Sequence, residues 1–233
     1  MSAIILFMAG IAAIAGWWLS QQRLTAKPWL EEGVIADVRG DSAPAKIGLG
    51  VFLAVVGSLF ALFISAYSMR MNMADWRALP VPRLLWFNTG VLVLSSIALQ
   101  WAHVAARRDD MDGVIVGLGA GAAFAVTFLV GQLLAWRQLN AAGYFLASNP
   151  ANSFFYLITA AHGLHLMGGL VALGRTTAKV WRGAEMTRVR LSVELCAIYW
   201  HFLLLIWLVL FGLLTGWAGD FIDICRQLLN QGG

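Results

Sequence analysis

Apolar positions in this chain fall into long uninterrupted runs separated by short polar stretches. The alternation that marks a half-buried strand is absent, which argues against a β-barrel and for helices. Six runs are visible, at about 4–19, 47–69, 84–104, 114–136, 154–174 and 193–217. A helix of ~20 apolar residues crosses a hydrocarbon core of ~30 Å. Within lipid each backbone amide must be paired inside its own segment, so runs of this kind are expected to be helical. The expectation is an all-α, polytopic membrane bundle of about six transmembrane helices, formed as a single membrane domain over 1–233.

The breaks between runs carry their own signals. Ala13-Ile14-Ala15 resembles a signal-peptide cleavage site, but the first run lacks a basic start, so a retained helix is expected. A polar loop, 20–45, follows. Pro80 and Pro82 stop a helix from extending backwards from Leu84. Arg107-Arg108-Asp109-Asp110 closes the third run, Asn149-Pro150 precedes the fifth, and a basic loop with Arg175, Lys179, Arg182, Arg188 and Arg190 leads to the sixth.

Composition agrees with the pattern and adds little to it. Hydrophobic residues make up 60% and charged residues 12%, too little charge to cover a soluble domain. The +4 net charge does not indicate nucleic acid, because the basic residues sit between the runs, where positive-inside bias places them. With the N-terminus outside, Arg23, Lys27, Arg39, Lys46, Arg107, Arg108 and the five residues of the last loop lie inside. Arg70, Arg77, Arg83, Arg137 and Arg226 remain outside. Both termini are therefore expected to face the periplasm. Cys196 and Cys225 are too far apart in sequence for a metal motif and read as inert thiols.

Ionisable and polar groups at membrane depth are costly, so each is a candidate for function. They are His162, His165, Glu194 and His201, with His103 near an inner end, and the neutral groups Asn88, Ser95, Ser96, Gln100, Thr127 and Gln132. His162 and His165 share a helix face, and imidazole ligates haem iron, copper and zinc. The simpler reading is that each histidine joins packed helices by hydrogen bonds. Counting from the run ends puts His165 roughly 16 Å from the outer end and His201 roughly 12 Å from the inner end. The fifth and sixth helices should therefore pack with these two histidines at similar depth. Glu194 is read as a cap in the first turn of the sixth helix, where a carboxylate meets the positive dipole end, with a proton carrier as the alternative. Gly113, Gly117 and Gly121 repeat every fourth residue and predict close helix contact, within the chain or with a partner. Trp17, Trp18, Trp86, Trp101, Trp136 and Trp217 cluster near run ends, as an interfacial belt would.

Several strings carry more than membrane character. The fifth run reads Phe154-Phe155-Tyr156 and then His162-Gly163-Leu164-His165; the sixth reads Val193-Glu194, Tyr199-Trp200-His201-Phe202 and Trp207; the third holds Asn88-Thr89, Ser95-Ser96 and Gln100-Trp101-Ala102-His103. In this order they resemble subunit III of the haem–copper oxidases, most closely the cytochrome c oxidase branch, over about 46–216. The resemblance implies a non-catalytic helical subunit of a proton-pumping terminal oxidase in a bacterial inner membrane. Such a subunit packs beside catalytic subunit I, in a complex that includes subunit II. It binds phospholipid, supports proton uptake and protects the oxidase during turnover. No cofactor is expected in this chain; haem and copper belong to the partner subunits.

Measured against that family, the first run looks like the second helix, so the family's first helix is expected to be missing. Val56 and Leu204 stand where the family commonly has carboxylates, and Arg137 stands where an acidic residue is frequent, which removes those groups from any proton role. A haem–copper core needs about six histidine ligands, and this chain has four histidines in total. Alternatives are subunit III of a quinol oxidase or of a nitric-oxide-reductase relative, a small haem-b electron-transfer protein, and a transporter. The spacing of His162 and His165 suits two stacked haems poorly, and the runs lack the paired helix breaks of a transporter.

Overall fold

The computed structural model describes residues 42–71, 73–77, 79–183 and 186–216. Among these residues there are five helices and no strand: α1 (Ser42–Arg70), α2 (Leu84–Arg107), α3 (Met111–Ala141), α4 (Pro150–Trp181) and α5 (Met186–Leu214). All five are long and apolar enough to cross a membrane. They form the compact unit Lys46–Gly219; the first run, 4–19, and Trp17, Trp18, Trp217 and Cys225 lie outside the described residues.

Local chemistry sets the helix boundaries. Asp110 caps α3 by accepting a hydrogen bond from the Gly113 amide at 3.0 Å. Asn149 does the same for α4 from Ala151 N at 3.2 Å, with Pro150 at the first helical position, where its missing N–H costs nothing. Gly143 (φ 87°) and Gly183 (φ 70°) turn the chain out of α3 and α4 in the left-handed region that glycine enters without a steric penalty.

Four helices make the body. α2 packs most extensively on α3, and the ring continues from α3 to α4, α4 to α5 and α5 back to α2. The α2–α3 contact is close because Gly117 and Gly121 face Ala102, Ala98 and Leu99; a Cβ on Gly117 would fall 2.7 Å from Ala102 Cβ. The every-fourth-glycine pattern thus serves contact within the chain. α1 stands more apart. Its apolar stretch is only 11% buried, against 56% for α2. It touches the body through Val56 and Phe60, which pack with Ile158, Ile206 and Leu210, and through Gly57 beside the Phe202 ring. Other α1 side chains, Val51, Val55 and Leu62 among them, are exposed.

Helix lengths depart from expectation where α4 ends and α5 begins. The basic loop read between the fifth and sixth runs is almost wholly helical: Arg175 and Lys179 belong to α4, and Arg190 belongs to α5. Hydropathy detects only the hydrocarbon crossing, whereas a helix continues into the headgroup layer with its long basic side chains reaching outward. The same effect overturns the reading of Glu194. With α5 starting at Met186, Glu194 lies two turns inside the helix and cannot cap it.

Candidate functional site

α4 and α5 run antiparallel, and their polar groups meet at mid-body. His162 is fully buried, and its Nε2 donates to Leu203 O at 3.1 Å. One turn along, Tyr199 Oη donates to His165 O at 2.8 Å. Residues 162–165 therefore face 199–203, and His165 and His201 lie within about one turn of the same depth, as counting from the run ends predicts. The histidines do not converge on a common point. His165 donates from Nδ1 to Ala161 O of its own helix at 2.7 Å, and the exposed His201 does likewise to Ala197 O at 2.5 Å. Among the described residues no group of three or more His, Cys, Asp or Glu side chains is placed to hold a metal ion.

The His162 ring sits in an aromatic box. Trp207 lies 5.0 Å from it, Phe128 5.7 Å at 73°, and Phe60 6.4 Å at 63°. Phe60 also meets His165 at 5.5 Å, so α1 reaches the α4 histidines through one ring. Phe128 in turn meets Trp207 edge-on at 4.9 Å.

Each buried indole carries a donor that lipid cannot satisfy, and each finds a hydroxyl on another helix. Trp200 Nε1 donates to Ser95 Oγ at 2.9 Å, and that hydroxyl donates to Gly121 O at 2.8 Å. One serine thus ties α5, α2 and α3. Trp207 Nε1 donates to Thr89 Oγ1 at 2.9 Å, and Trp136 Nε1 donates to Thr159 Oγ1 at 3.1 Å. Asn88 Nδ2 donates to Gln132 Oε1 at 3.4 Å, with both side chains buried. Cys196 is buried beside Thr176 at 3.4 Å. Gln100 and Thr127 are exposed on the outer surface of the helices and join none of this.

A second group lies where α1 and α5 begin and α2 ends. Lys46 Nζ of α1 and Glu194 Oε1 of α5 are 2.6 Å apart, with side chains 26% and 32% exposed. Half-buried His103 of α2 is within electrostatic range of both. Arg190 bonds Asp109 Oδ1 at 2.6 Å and Ala106 O at 2.9 Å, tying the end of α2 to the start of α5.

Sequence reasoning named Asn88, Ser95, Gln132, His162 and Glu194 but missed what each of them pairs with. The demand for a partner was readable, since an indole N–H in hydrocarbon must donate to something. Which hydroxyl answers depends on helix register, as Trp200 and Ser95 are 105 residues apart. Lys46 was missed because it was read as a loop residue.

Comparison with known proteins adds a further observation. The sequence pattern of the family described as cytochrome c oxidase subunit III matches residues 47–219. The chain is 32% identical over 179 residues to cytochrome c oxidase subunit 3 of Thermostichus vulcanus, an alignment covering 72% of this chain and 85% of that one. It is 28% identical over 211 residues to the Synechocystis sp. protein of the same name, covering 82% and 88%. Against the Yarrowia lipolytica protein, also of that name, identity is 27% over 185 residues, covering 74% and 68%.

Proposed function

This chain belongs to the cytochrome c oxidase subunit III family, and from that premise we propose that it serves as the accessory third subunit of a haem–copper terminal oxidase that takes electrons from cytochrome c. It is a multi-pass membrane protein. The observation that carries the reading is the coincidence of the family match, 47–219, with the whole helical unit, Lys46–Gly219. Within that unit the strings His162–His165 and Tyr199–Phe202 do structural work: two of their residues, His162 and Trp200, are fully buried and bonded to neighbouring helices.

The role follows from what the polar groups do. His162, His165 and His201 bond backbone carbonyls and the buried indoles bond hydroxyls, which makes a rigid body rather than a reaction centre. Its broad apolar outer faces suit a subunit that packs beside catalytic subunit I, with subunit II completing the enzyme. The chain lies in a bacterial inner membrane with its basic inner ends at the cytoplasmic surface and both termini in the periplasm.

Bound phospholipid belongs to this reading. A laterally open groove of about 400 Å³ runs between α3 and α4, lined by Gly119, Ala122, Leu170, Gly174 and Ala178 and ending at exposed Trp181. Its small side chains leave room for an acyl chain. Lys46 and Glu194 sit at the inner surface, where a contribution to proton uptake would begin.

Purification in mild detergent through a tag on this chain tests the proposal. A histidine-rich partner carrying haem and copper is expected, with cytochrome c oxidase activity. A partner that oxidises quinol and lacks a dicopper subunit would overturn the choice of electron donor; a chain that purifies alone with haem bound would overturn the subunit role.

A further inference from the structure

One outward face of the bundle carries polar groups that lipid cannot satisfy. On α5, His201, Leu205 and Leu208 follow at four- and three-residue steps, so they share one side of the helix, and all three are exposed. His201 lies midway along the apolar span Val189–Leu214. Its neighbour Trp200 bonds Ser95, itself midway along α2, so two helices agree on that depth. His201 Nδ1 donates to Ala197 O of its own helix, so Nε2 of the neutral ring is an acceptor, and it has no partner among the described residues. Thr127 and Ser58 are also exposed within their spans, but each hydroxyl donates to a carbonyl of its own helix, Ala123 O and Ala54 O.

A second unanswered group borders the same face. Trp86, Val93 and Gln100 are seven residues apart and line one edge of α2, and Trp86 meets Phe211 of α5 edge-on at 4.8 Å. Phe211 is one turn from Leu208, so this edge of α2 lies beside the outward stripe of α5. Gln100 sits roughly 8 Å along α2 from Ser95, is exposed, and bonds nothing among the described residues. Trp86, Ile97, Leu205 and Leu208 make the surface around these two polar groups apolar.

Acyl chains offer no hydrogen bond, and headgroups do not reach mid-span. Lipid would therefore cover this face only by leaving both groups unpaired, and ionisable residues in transmembrane helices are rarely left so. A protein segment can answer them. On the reading that this chain is one subunit of a larger oxidase, we propose that the α2–α5 face bearing Gln100 and His201 is where the catalytic subunit docks. The occupant is a transmembrane helix of that subunit that presents a hydroxyl, indole or amide donor to His201 Nε2 at mid-span. Leu205 and Leu208 supply the apolar contact around this hydrogen bond, and the Gln100 amide offers a donor and an acceptor to the same helix.

Photo-cross-linking in the intact complex tests this. A benzoylphenylalanine at position 205 should, on illumination in the membrane, link this chain to the haem-bearing subunit; the same group in place of exposed Val130 of α3 should not. His201→Leu should lower the amount of that subunit recovered per chain in detergent several-fold, and His201→Gln, whose amide keeps an acceptor in place, should restore most of it. His201 is exposed and bonds only its own helix, so neither change disturbs the fold of the chain. With the haem-bearing subunit still co-purifying, an adduct from position 205 with lipid alone, with a second copy or with the 4–19 run of this chain overturns the proposal. Full recovery in His201→Leu overturns it as well, and in each case the subunit role stands. A chain that brings down no haem-bearing subunit at all overturns that role and this docking face with it.

Discussion

Ser95 shows how one small polar residue carries more than its size implies. Its hydroxyl accepts from Trp200 Nε1 and donates to Gly121 O, both at buried positions. Ser95→Ala leaves the indole N–H unpaired among apolar groups, which costs about 1–3 kcal/mol. The Tm of the detergent-solubilised complex should drop by several degrees. Ser58→Ala removes only an exposed hydroxyl bonded to its own helix at Ala54 O and should leave Tm where it was. Glu194 makes the opposite point, because its ion pair is only half-buried. The Lys46–Glu194 pair is about a third open to its surroundings, so a double-mutant cycle of Lys46→Gln and Glu194→Gln should return a coupling of about 0.2–1 kcal/mol. If Glu194 also relays protons, Glu194→Gln shifts the pH profile of oxidase activity; an unchanged profile leaves it a purely structural partner of Lys46.

Helix crossings and helix ends are decided at the next scale. Gly117 lets α2 and α3 touch, since an added Cβ would meet Ala102 Cβ at 2.7 Å and Ala98 O at 2.9 Å, neither of which can swing aside. Gly117→Ala should cost about 1–3 kcal/mol and lower chemical-denaturation stability, while Gly90→Ala, which meets nothing, should be neutral or mildly stabilising. At the C-terminal end of α1, Arg70 hydrogen-bonds Asp75 across the turn that follows. That bond holds the Asp75 carboxyl below the usual carboxylate range. Because the folded value is the lower one, the clasp contributes above the ordinary carboxylate range and is lost as pH falls through the depressed value. Protection of the 73–77 amides, taken relative to their intrinsic exchange rate at each pH, should therefore fall on acidification, and in Asp75→Asn it should be low at every pH.

At the scale of the whole molecule, the runs from Ile47 onward were legible as helices because hydropathy reports the crossing of hydrocarbon directly. The positions of Pro80, Pro82, Asn149 and Pro150 marked the breaks correctly. Helix ends were not legible between α4 and α5, since Arg175, Lys179 and Arg190 extend helices through a layer that tolerates charge. For that reason Glu194 was mistaken for a cap. The candidate site was half legible. His162, Asn88 and Gln132 declared themselves as polar groups at depth, but their partners depend on a register that only packing supplies. Val56 illustrates the converse: read as a missing carboxylate, it is a buried packing residue against Phe60, Ile158 and Ile206.

On the proposed function, this helical body holds no redox centre of its own and stands against a haem–copper partner. The most direct test is the optical spectrum and composition of the material purified through a tag on this chain, before and after detergent strips the partners away. Haem bands and copper are expected in the intact complex, and a helical, colourless chain once it is separated. A separated chain that keeps a haem spectrum dependent on His162 or His165 would contradict it.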